Sequence, residues 1–202
     1  MSQSSRQDRP AVERAVTELI RALGLDARVD PELDRTPGRI AEFYAECFSG
    51  MDPEGSPDLA IFPYSVPAGS PESPRTLARL HEDLVVVRDL EFHSTCIHHF
   101  APFFGRATIA YVPGDRIVGI SGPARLLDWY SHRPQLQERI TTQIADHLER
   151  LLAPQGVAVL LKARHLCMEM RGIRKRGMVE TSTMRGALAG AAGAVALGLS
   201  RG

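Results

Sequence analysis

Two short segments carry residue types that bind soft metal ions and transfer protons. In the first, Cys96 and His99 stand three residues apart in the run Cys-Ile-His-His, so one loop can offer a thiolate and an imidazole to a single ion. Taken alone, this pattern also fits an ordinary polar loop. In the second, His165 and Cys167 lie two residues apart in a predicted strand, so both side chains would project from the same face.

The two segments together predict a zinc site formed by Cys96, His99 and Cys167. Polar side chains in an otherwise apolar run need partners if they are buried, and a metal ion supplies one. Three protein ligands leave the fourth position of a tetrahedral ion open, as in catalytic rather than structural zinc sites. His98 and His165 would flank the ion, where imidazoles suit general acid–base catalysis.

A second group of residues has the chemistry to bind phosphate. Ser121 begins a predicted helix whose N-terminus can accept an anion, and Arg125 follows one turn later. Arg171 comes four residues after Cys167, and Arg39 lies at the start of an earlier helix. Planar guanidinium groups bind phosphate well, although each arginine taken singly also fits a solvated surface charge.

Gln137 and Glu138, early in a long predicted helix, offer an amide and a carboxylate. A carboxylate can accept hydrogen bonds from the paired N–H donors of a guanine edge. Taken singly, Glu138 is more typical of a surface residue. Both interpretations stay open on the residues alone.

The elements that must position these residues indicate an α+β fold. Periodicity predicts helices over 10–25 and from an N-cap at Thr36 to about residue 50, then a proline-rich irregular connection over 51–74. An antiparallel four-stranded sheet with two helices on one face should follow. Its predicted strands are 84–92, 104–112, 157–170 and 178–188, with a loop at 93–102, a short strand at 117–120, and helices starting at Ser121 and after Pro134.

This order predicts three parts of the chain. Residues 1–82 form an N-terminal helical segment with the proline-rich connection, and residues 83–188 form the catalytic domain. The Ala/Gly-rich tail, 189–202, we expect to be disordered. It is too short and too poor in large apolar residues to span a bilayer.

Composition narrows the class of partners. Among 202 residues, 24 basic and 24 acidic residues give zero net charge, so nothing indicates nucleic acid or an acidic membrane as a partner. The first ten residues lack the apolar core of a secretory signal. Three cysteines cannot all pair, so we expect a cytoplasmic protein with free thiols.

The motifs resemble those of the GTP cyclohydrolase I family. Four segments, spanning roughly residues 34–188, carry the resemblance: TPGRIAEFY, STCIHHFAPFFGRATIAYVP, GISGPARLLDWYSHRPQLQERITTQIA and HLCMEMRGIRK. The resemblance implies the T-fold, in which antiparallel sheets from several subunits form a barrel. It also implies a decamer of two stacked pentamers with active sites between subunits.

By position, the resemblance implies a role for each candidate residue. The implied zinc ligands are Cys96, His99 and Cys167, and the implied catalytic histidines are His98 and His165. The implied guanine-recognition residues are Gln137 and Glu138, and the implied contacts to ribose and triphosphate are Ser121, Arg125, Arg171 and Arg39.

The implied reaction is hydrolytic opening of the guanine imidazole ring of GTP. Water activated by zinc adds to C8, the ring opens and formate leaves. The ribose carbons then rearrange and close into 7,8-dihydroneopterin triphosphate, a precursor of folate and other pterins. This chemistry agrees with the site predicted from the residues, since zinc lowers the pKa of water to about 7 and histidines can carry the protons.

The sequence departs from the usual family pattern at three positions. Ile97 stands where Glu is usual, Gly122 where Lys follows the serine, and Glu42 where Lys follows the helical arginine. The last two changes remove two positive charges and add a negative one in the expected phosphate pocket. We therefore expect weaker binding of triphosphate in particular.

Two alternatives to a GTP cyclohydrolase I follow from these departures. One is a paralogue that opens a different or less phosphorylated purine nucleotide, or stops at an earlier intermediate. The other is a non-catalytic, zinc-stabilised oligomer that binds a nucleotide. Retention of both His98 and His165 argues against the second, because a structural zinc site needs neither.

Overall fold

The computed structural model describes residues 7–65 and 84–199, and the chain divides into two compact units between Ser56 and Pro57. The predicted domain boundary between residues 82 and 83 lies outside the described residues. The N-terminal unit contains two helices, α1 (Arg9–Ala22) and α2 (Thr36–Cys47). Asp8 caps α1 by accepting a hydrogen bond from the Ala11 amide at 3.0 Å.

Thr36 is not the N-cap that the sequence predicts for α2. It is the first helical residue, Arg35 is the cap, and no side chain caps this helix end. The Thr36 hydroxyl instead donates to the carbonyl of Glu32, 3.4 Å away. Pro37 still lies in the first turn, where its missing N–H costs no hydrogen bond.

The second unit contains the sheet and the helices that cover it. Its strands are β1 (Ile61–Pro63), β2 (Val85–Cys96), β3 (Pro102–Val112), β4 (Arg116–Val118), β5 (Pro134–Gln135), β6 (Gly156–His165) and β7 (Val179–Gly186). Its helices are α3 (Gly122–Ser131), α4 (Gln137–Leu152), α5 (Leu166–Glu169) and α6 (Ala191–Ala196).

The main sheet has the order β5-β2-β3-β6-β7. Its four long strands are all antiparallel, which confirms the predicted α+β class and four-stranded core. Two features were not predicted. The short strand β5 adds to the sheet in parallel beside Thr95 and Cys96. Strand β1 lies inside the region expected to be an irregular connection, and it pairs with β4.

Helices α3 and α4 pack on one face of this sheet, as their apolar periodicity predicts. The contact is fully buried on the helix side and consists of Leu126, Leu127, Ile140, Ile144 and Leu148. On the sheet side, alternate residues of β3 and β6 complete the core, among them Ile109, Tyr111, Val157, Val159 and Leu161. This packing fixes the start of α4 against β6.

The tail is ordered where the structure describes it, so the expectation of disorder over residues 189–202 is wrong for residues 189–199. Helix α6 lies in this segment, and Ala196 and Leu197 are buried. They pack with Leu188 against small and branched residues on the second face of the sheet, including Ala110 and Leu160. Burial of this apolar surface stabilises the segment. No helix of the described residues is long and apolar enough to span a membrane.

Strands β2 and β6 end differently from the prediction. Strand β2 continues through the predicted loop to Cys96, because residues 91–95 pair with residues 102–106 of β3. Strand β6 stops at His165, and the next four residues form the one-turn helix α5. Cys167 therefore lies on a helix and not on the predicted strand.

Candidate metal centre and active site

Three metal-binding side chains meet where β2, its following turn and α5 come together. Cys96 ends β2 and is buried, His99 lies in the turn, and Cys167 lies on α5. Their ligand atoms all lie within 4.8 Å of one another. The sequence predicted this set, and the structure brings all three residues together.

The turn after Cys96 is held by backbone hydrogen bonds. The Phe100 amide donates to the Cys96 carbonyl at 2.9 Å, and the Cys96 amide donates to the Ala101 carbonyl at 2.8 Å. Phe100 adopts a left-handed conformation with φ of 51°, which reverses the chain toward β3. The closed turn places His99 back beside Cys96.

Cys167 reaches the same place by a route that the sequence did not indicate. The final pair of the β3–β6 ladder joins Phe103 and His165, at the end of the sheet that carries the turn. One helical turn from there carries Cys167 to Cys96. His165 and Cys167 do not share one strand face, so that prediction is wrong, although both residues do reach the site.

The donor set fits a soft or borderline divalent ion. Zinc bonds to sulfur at about 2.3 Å and to imidazole nitrogen at about 2.0 Å, so atoms this close need only small shifts to share one ion. Burial raises the pKa of the Cys167 thiol, and the neighbouring Cys96 raises it further. A cation bound between the two sulfurs would reverse this effect by favouring the thiolates.

His98 lies in the same turn and is exposed. Its Nδ1 lies 4.0 Å from the Cys96 sulfur, and its ring centroid lies 6.2 Å from that of His99. The turn therefore offers His99 as a candidate ligand and leaves His98 exposed beside the ligands.

His165 is held on its edge and on its face. Its Nε2 lies 2.8 Å from the Gln137 side-chain oxygen, and its ring stacks on Phe103 with centroids 4.5 Å apart and planes 4° from parallel. Burial lowers the pKa of His165, while the carboxylate of Glu138 opposes this shift. The sequence does not predict this contact, because the predicted strand begins at residue 104, whereas Phe103 lies within β3.

The side chain of Gln137 is buried, although the sequence predicts that it contacts the guanine base. Only 2% of it is exposed, and its amide nitrogen donates to the carbonyls of Leu161 and Val179, each 3.0 Å away. Glu138, the next residue, is exposed in the first turn of α4. The two members of the predicted pair therefore differ: Gln137 is buried within the protein, and Glu138 faces solvent.

The predicted phosphate contacts are distributed over several elements. Arg171 lies beside the ligand cluster, with its Nη1 2.7 Å from the Nε2 of His99. Ser121 and Arg125 are exposed at the start of α3, and among the described residues no hydrogen bond or ion pair joins either of them to that cluster. Arg39 is exposed on α2, in the N-terminal unit.

The glycine at position 122 has a packing reason. A Cβ atom at Gly122 would lie 2.3 Å from a methyl carbon of Val118, which is buried. Any larger residue there requires Val118 to move. Ile97 and Glu42, the other departures, are both exposed.

Comparison with known proteins assigns this arrangement to a family. The family model described as GTP cyclohydrolase I matches residues 12–195, which include the ligand cluster and both flanking histidines. This chain belongs to the GTP cyclohydrolase I family. It is 43% identical over 183 residues to GTP cyclohydrolase 1 of Thermobifida fusca, covering 89% of this chain and 81% of that protein.

Other members of the GTP cyclohydrolase I family are similarly close. The Bacillus subtilis GTP cyclohydrolase 1 is 41% identical over 177 residues, covering 87% of this chain and 85% of that protein. Among solved structures, the archaeosine synthase QueF-Like matches with a TM-score of 0.43 and 19% identity, over 52% of this chain and 94% of that one. So low a TM-score carries no conclusion about function.

Proposed function

We propose that this chain is a zinc-dependent GTP cyclohydrolase I. It opens the guanine imidazole ring of GTP, releases formate and forms 7,8-dihydroneopterin triphosphate for folate and pterin biosynthesis. The observation that carries the proposal is the convergence of Cys96, His99 and Cys167 beside His98 and His165 in a chain of this family. The free thiols favour the cytoplasm as its location.

The metal would be held by Cys96, His99 and Cys167. Two sulfur donors and one imidazole nitrogen form a ligand set that zinc accepts, and three ligands leave one position for water or substrate. When bound, zinc supplies a Lewis acid that lowers the pKa of water to about 7.

The remaining residues bind the base and move protons. Glu138 accepts hydrogen bonds from the N–H donors of the guanine edge and orients the imidazole ring toward the histidines. His98 and His165 accept and return protons as water adds at C8 and as C8 separates from its two ring nitrogens to leave as formate. Arg171 binds a phosphate close to this centre, and its contact with His99 supports this role.

The triphosphate also needs residues outside this cluster. Ser121 and Arg125 at the start of α3, together with Arg39 on α2, supply the further contacts to ribose and phosphate. We propose that these meet the metal centre in a decamer of two pentamers whose active sites lie between subunits. Among the described residues no strand pairs with the outer edge of β7, and this supports such an assembly because a strand of a neighbouring subunit can pair there.

A second candidate is a family member that accepts purine nucleotides with fewer phosphates. Glu42 and Gly122 favour it, since each replaces a lysine that would attract phosphate. The packing of Val118 against Gly122 adds support, because the site is shaped for a residue without a side chain.

A substrate panel tests both candidates. The zinc-loaded protein is incubated with GTP, GDP, GMP and dGTP, and formate and the pterin chromophore are assayed separately. The proposal predicts both products from GTP. Faster turnover of GMP supports the second candidate, formate without chromophore indicates an earlier stopping point, and neither product from any nucleotide contradicts both.

A further inference from the structure

The Gln137 side chain uses its hydrogen-bonding groups inside the protein. Its amide nitrogen donates to the carbonyls of Leu161 on β6 and Val179 on β7, at 3.0 Å each. Carbonyl oxygens only accept hydrogen bonds, so the nitrogen must face these two strands. The side-chain oxygen is then directed at His165, and both N–H donors of the amide are already used.

This arrangement determines which ring nitrogen of His165 carries hydrogen. The Gln137 oxygen lies 2.8 Å from Nε2 and can only accept, so Nε2 must donate. In the neutral ring, Nδ1 is then the nitrogen without hydrogen. Phe103, which is fully buried, stacks on the ring with planes 4° from parallel and fixes its tilt.

We propose that Gln137 is a positioning residue that fixes the ring orientation and tautomer of His165, and that it does not contact the guanine base. The inference rests on the function proposed above. It makes Nδ1 of His165 the atom that exchanges protons during the reaction. It also leaves recognition of the base to Glu138, whose side chain is exposed on the following residue.

Kinetics and binding distinguish positioning from base recognition. Gln137→Met keeps the length of the side chain but can neither accept from His165 nor donate to the carbonyls. We expect kcat for GTP to fall about ten- to hundredfold, the effect typical of losing a partner that orients a functional histidine. Binding of GTP to the chelator-treated protein, measured by equilibrium dialysis, should stay within about twofold of wild type.

Two variants serve as references. Gln143→Met lies on the same helix, where Gln143 bonds to Gln135 at 2.8 Å, and it should change neither quantity. Glu138→Gln should weaken GTP binding. Binding by Gln137→Met that weakens as much as in Glu138→Gln would overturn the proposal, and so would an unchanged kcat.

A spectroscopic measurement on the wild-type protein does not require Gln137→Met to fold. Solid-state NMR of wild-type protein labelled with nitrogen-15 histidine distinguishes the two tautomers, and subtraction of the His165→Asn spectrum isolates His165. We expect the form with hydrogen on Nε2, and the form with hydrogen on Nδ1 would refute the assignment. If wild type releases no formate from GTP, the proposed function fails, whereas the tautomer assignment is decided by the spectrum alone.

Discussion

At the residue scale, the ligand set was predictable and its surroundings were not. Cys96 and His99 are visible as a short spacing, and His165 and Cys167 as polar residues in an apolar run. The role of Gln137 was out of reach, because the carbonyls that orient it belong to β6 and β7 and meet α4 only in the folded chain. Sequence position alone cannot reveal such tertiary contacts.

Replacing Cys167 with serine should remove most of the bound metal. A hydroxyl is a far weaker zinc ligand than a thiolate, and loss of one of three protein ligands leaves only Cys96 and His99. Elemental analysis of the purified variant measures the effect. Cys47→Ser, on α2 in the other unit, is the control and should keep one zinc per chain. Full metal content in Cys167→Ser would mean that the ligand set is wrong.

Replacing Glu138 with glutamine should lower kcat/KM for GTP, GDP and GMP to a similar degree. The carboxylate is proposed to bind the base, which the three nucleotides share, and a hydrogen bond to a charged group contributes enough for a loss of about tenfold or more in kcat/KM. Arg139→Gln, the exposed neighbour, is the control. Unchanged kinetics with all three nucleotides would reduce Glu138 to a surface residue.

At the scale of elements, periodicity predicted the long strands and helices but not the residues at which strands β2 and β6 end. Strand β6 was expected to run on to residue 170, yet its ladder with β3 ends at the pair Phe103–His165. Beyond this pair the β3 partner begins with Pro102, which has no N–H to donate, and the chain turns into α5. The order of the tail was not predicted because the partners of Ala196 and Leu197, among them Ala110 and Leu160, lie on sheet strands that meet the tail only in the folded chain.

We expect any side chain at position 122, at the start of α3, to lower the stability of the protein unless Val118 is replaced by a smaller residue. Gly122→Ala places a carbon 2.3 Å from Val118, and such overpacking typically costs about 1–3 kcal/mol. Thermal unfolding should show a lower Tm for this variant and partial recovery in Gly122→Ala with Val118→Ala.

Gly38 is a matched control for this prediction. It also lies in the first turns of a helix, but its added Cβ would have an ordinary contact of 3.8 Å with Glu13. Gly38→Ala should leave Tm unchanged or raise it, since alanine favours the helix. An equal Tm for Gly122→Ala and wild type would show that Val118 adjusts freely.

At the scale of the whole molecule, the main sheet ends at β7, whose outer edge has no partner strand within residues 7–65 and 84–199. Sequence patterns do not contain the arrangement of subunits, which came only from family resemblance. We expect a large ring-based homo-oligomer in sedimentation velocity experiments. A stable monomer with full activity would contradict both the assembly and the intersubunit site.

Replacing Glu42 with lysine should raise the ratio of kcat/KM for GTP to that for GMP. The change removes a negative charge and adds a positive one where the triphosphate is proposed to bind, so the gain should grow with the number of phosphates. Glu46→Lys, exposed one turn further along α2, is the control for a general charge effect. Equal ratios in wild type and Glu42→Lys would show that this departure from the family is neutral.

We propose that this protein removes C8 of the guanine ring as formate at a metal site flanked by histidines. The most direct measurement follows carbon-14 from GTP labelled at C8. With zinc-loaded wild type, the label should appear in formate in a one-to-one ratio with the pterin chromophore, and both should be abolished in His165→Ala. Label that stays in the nucleotide with wild type, or formate released equally by His165→Ala, would contradict the account.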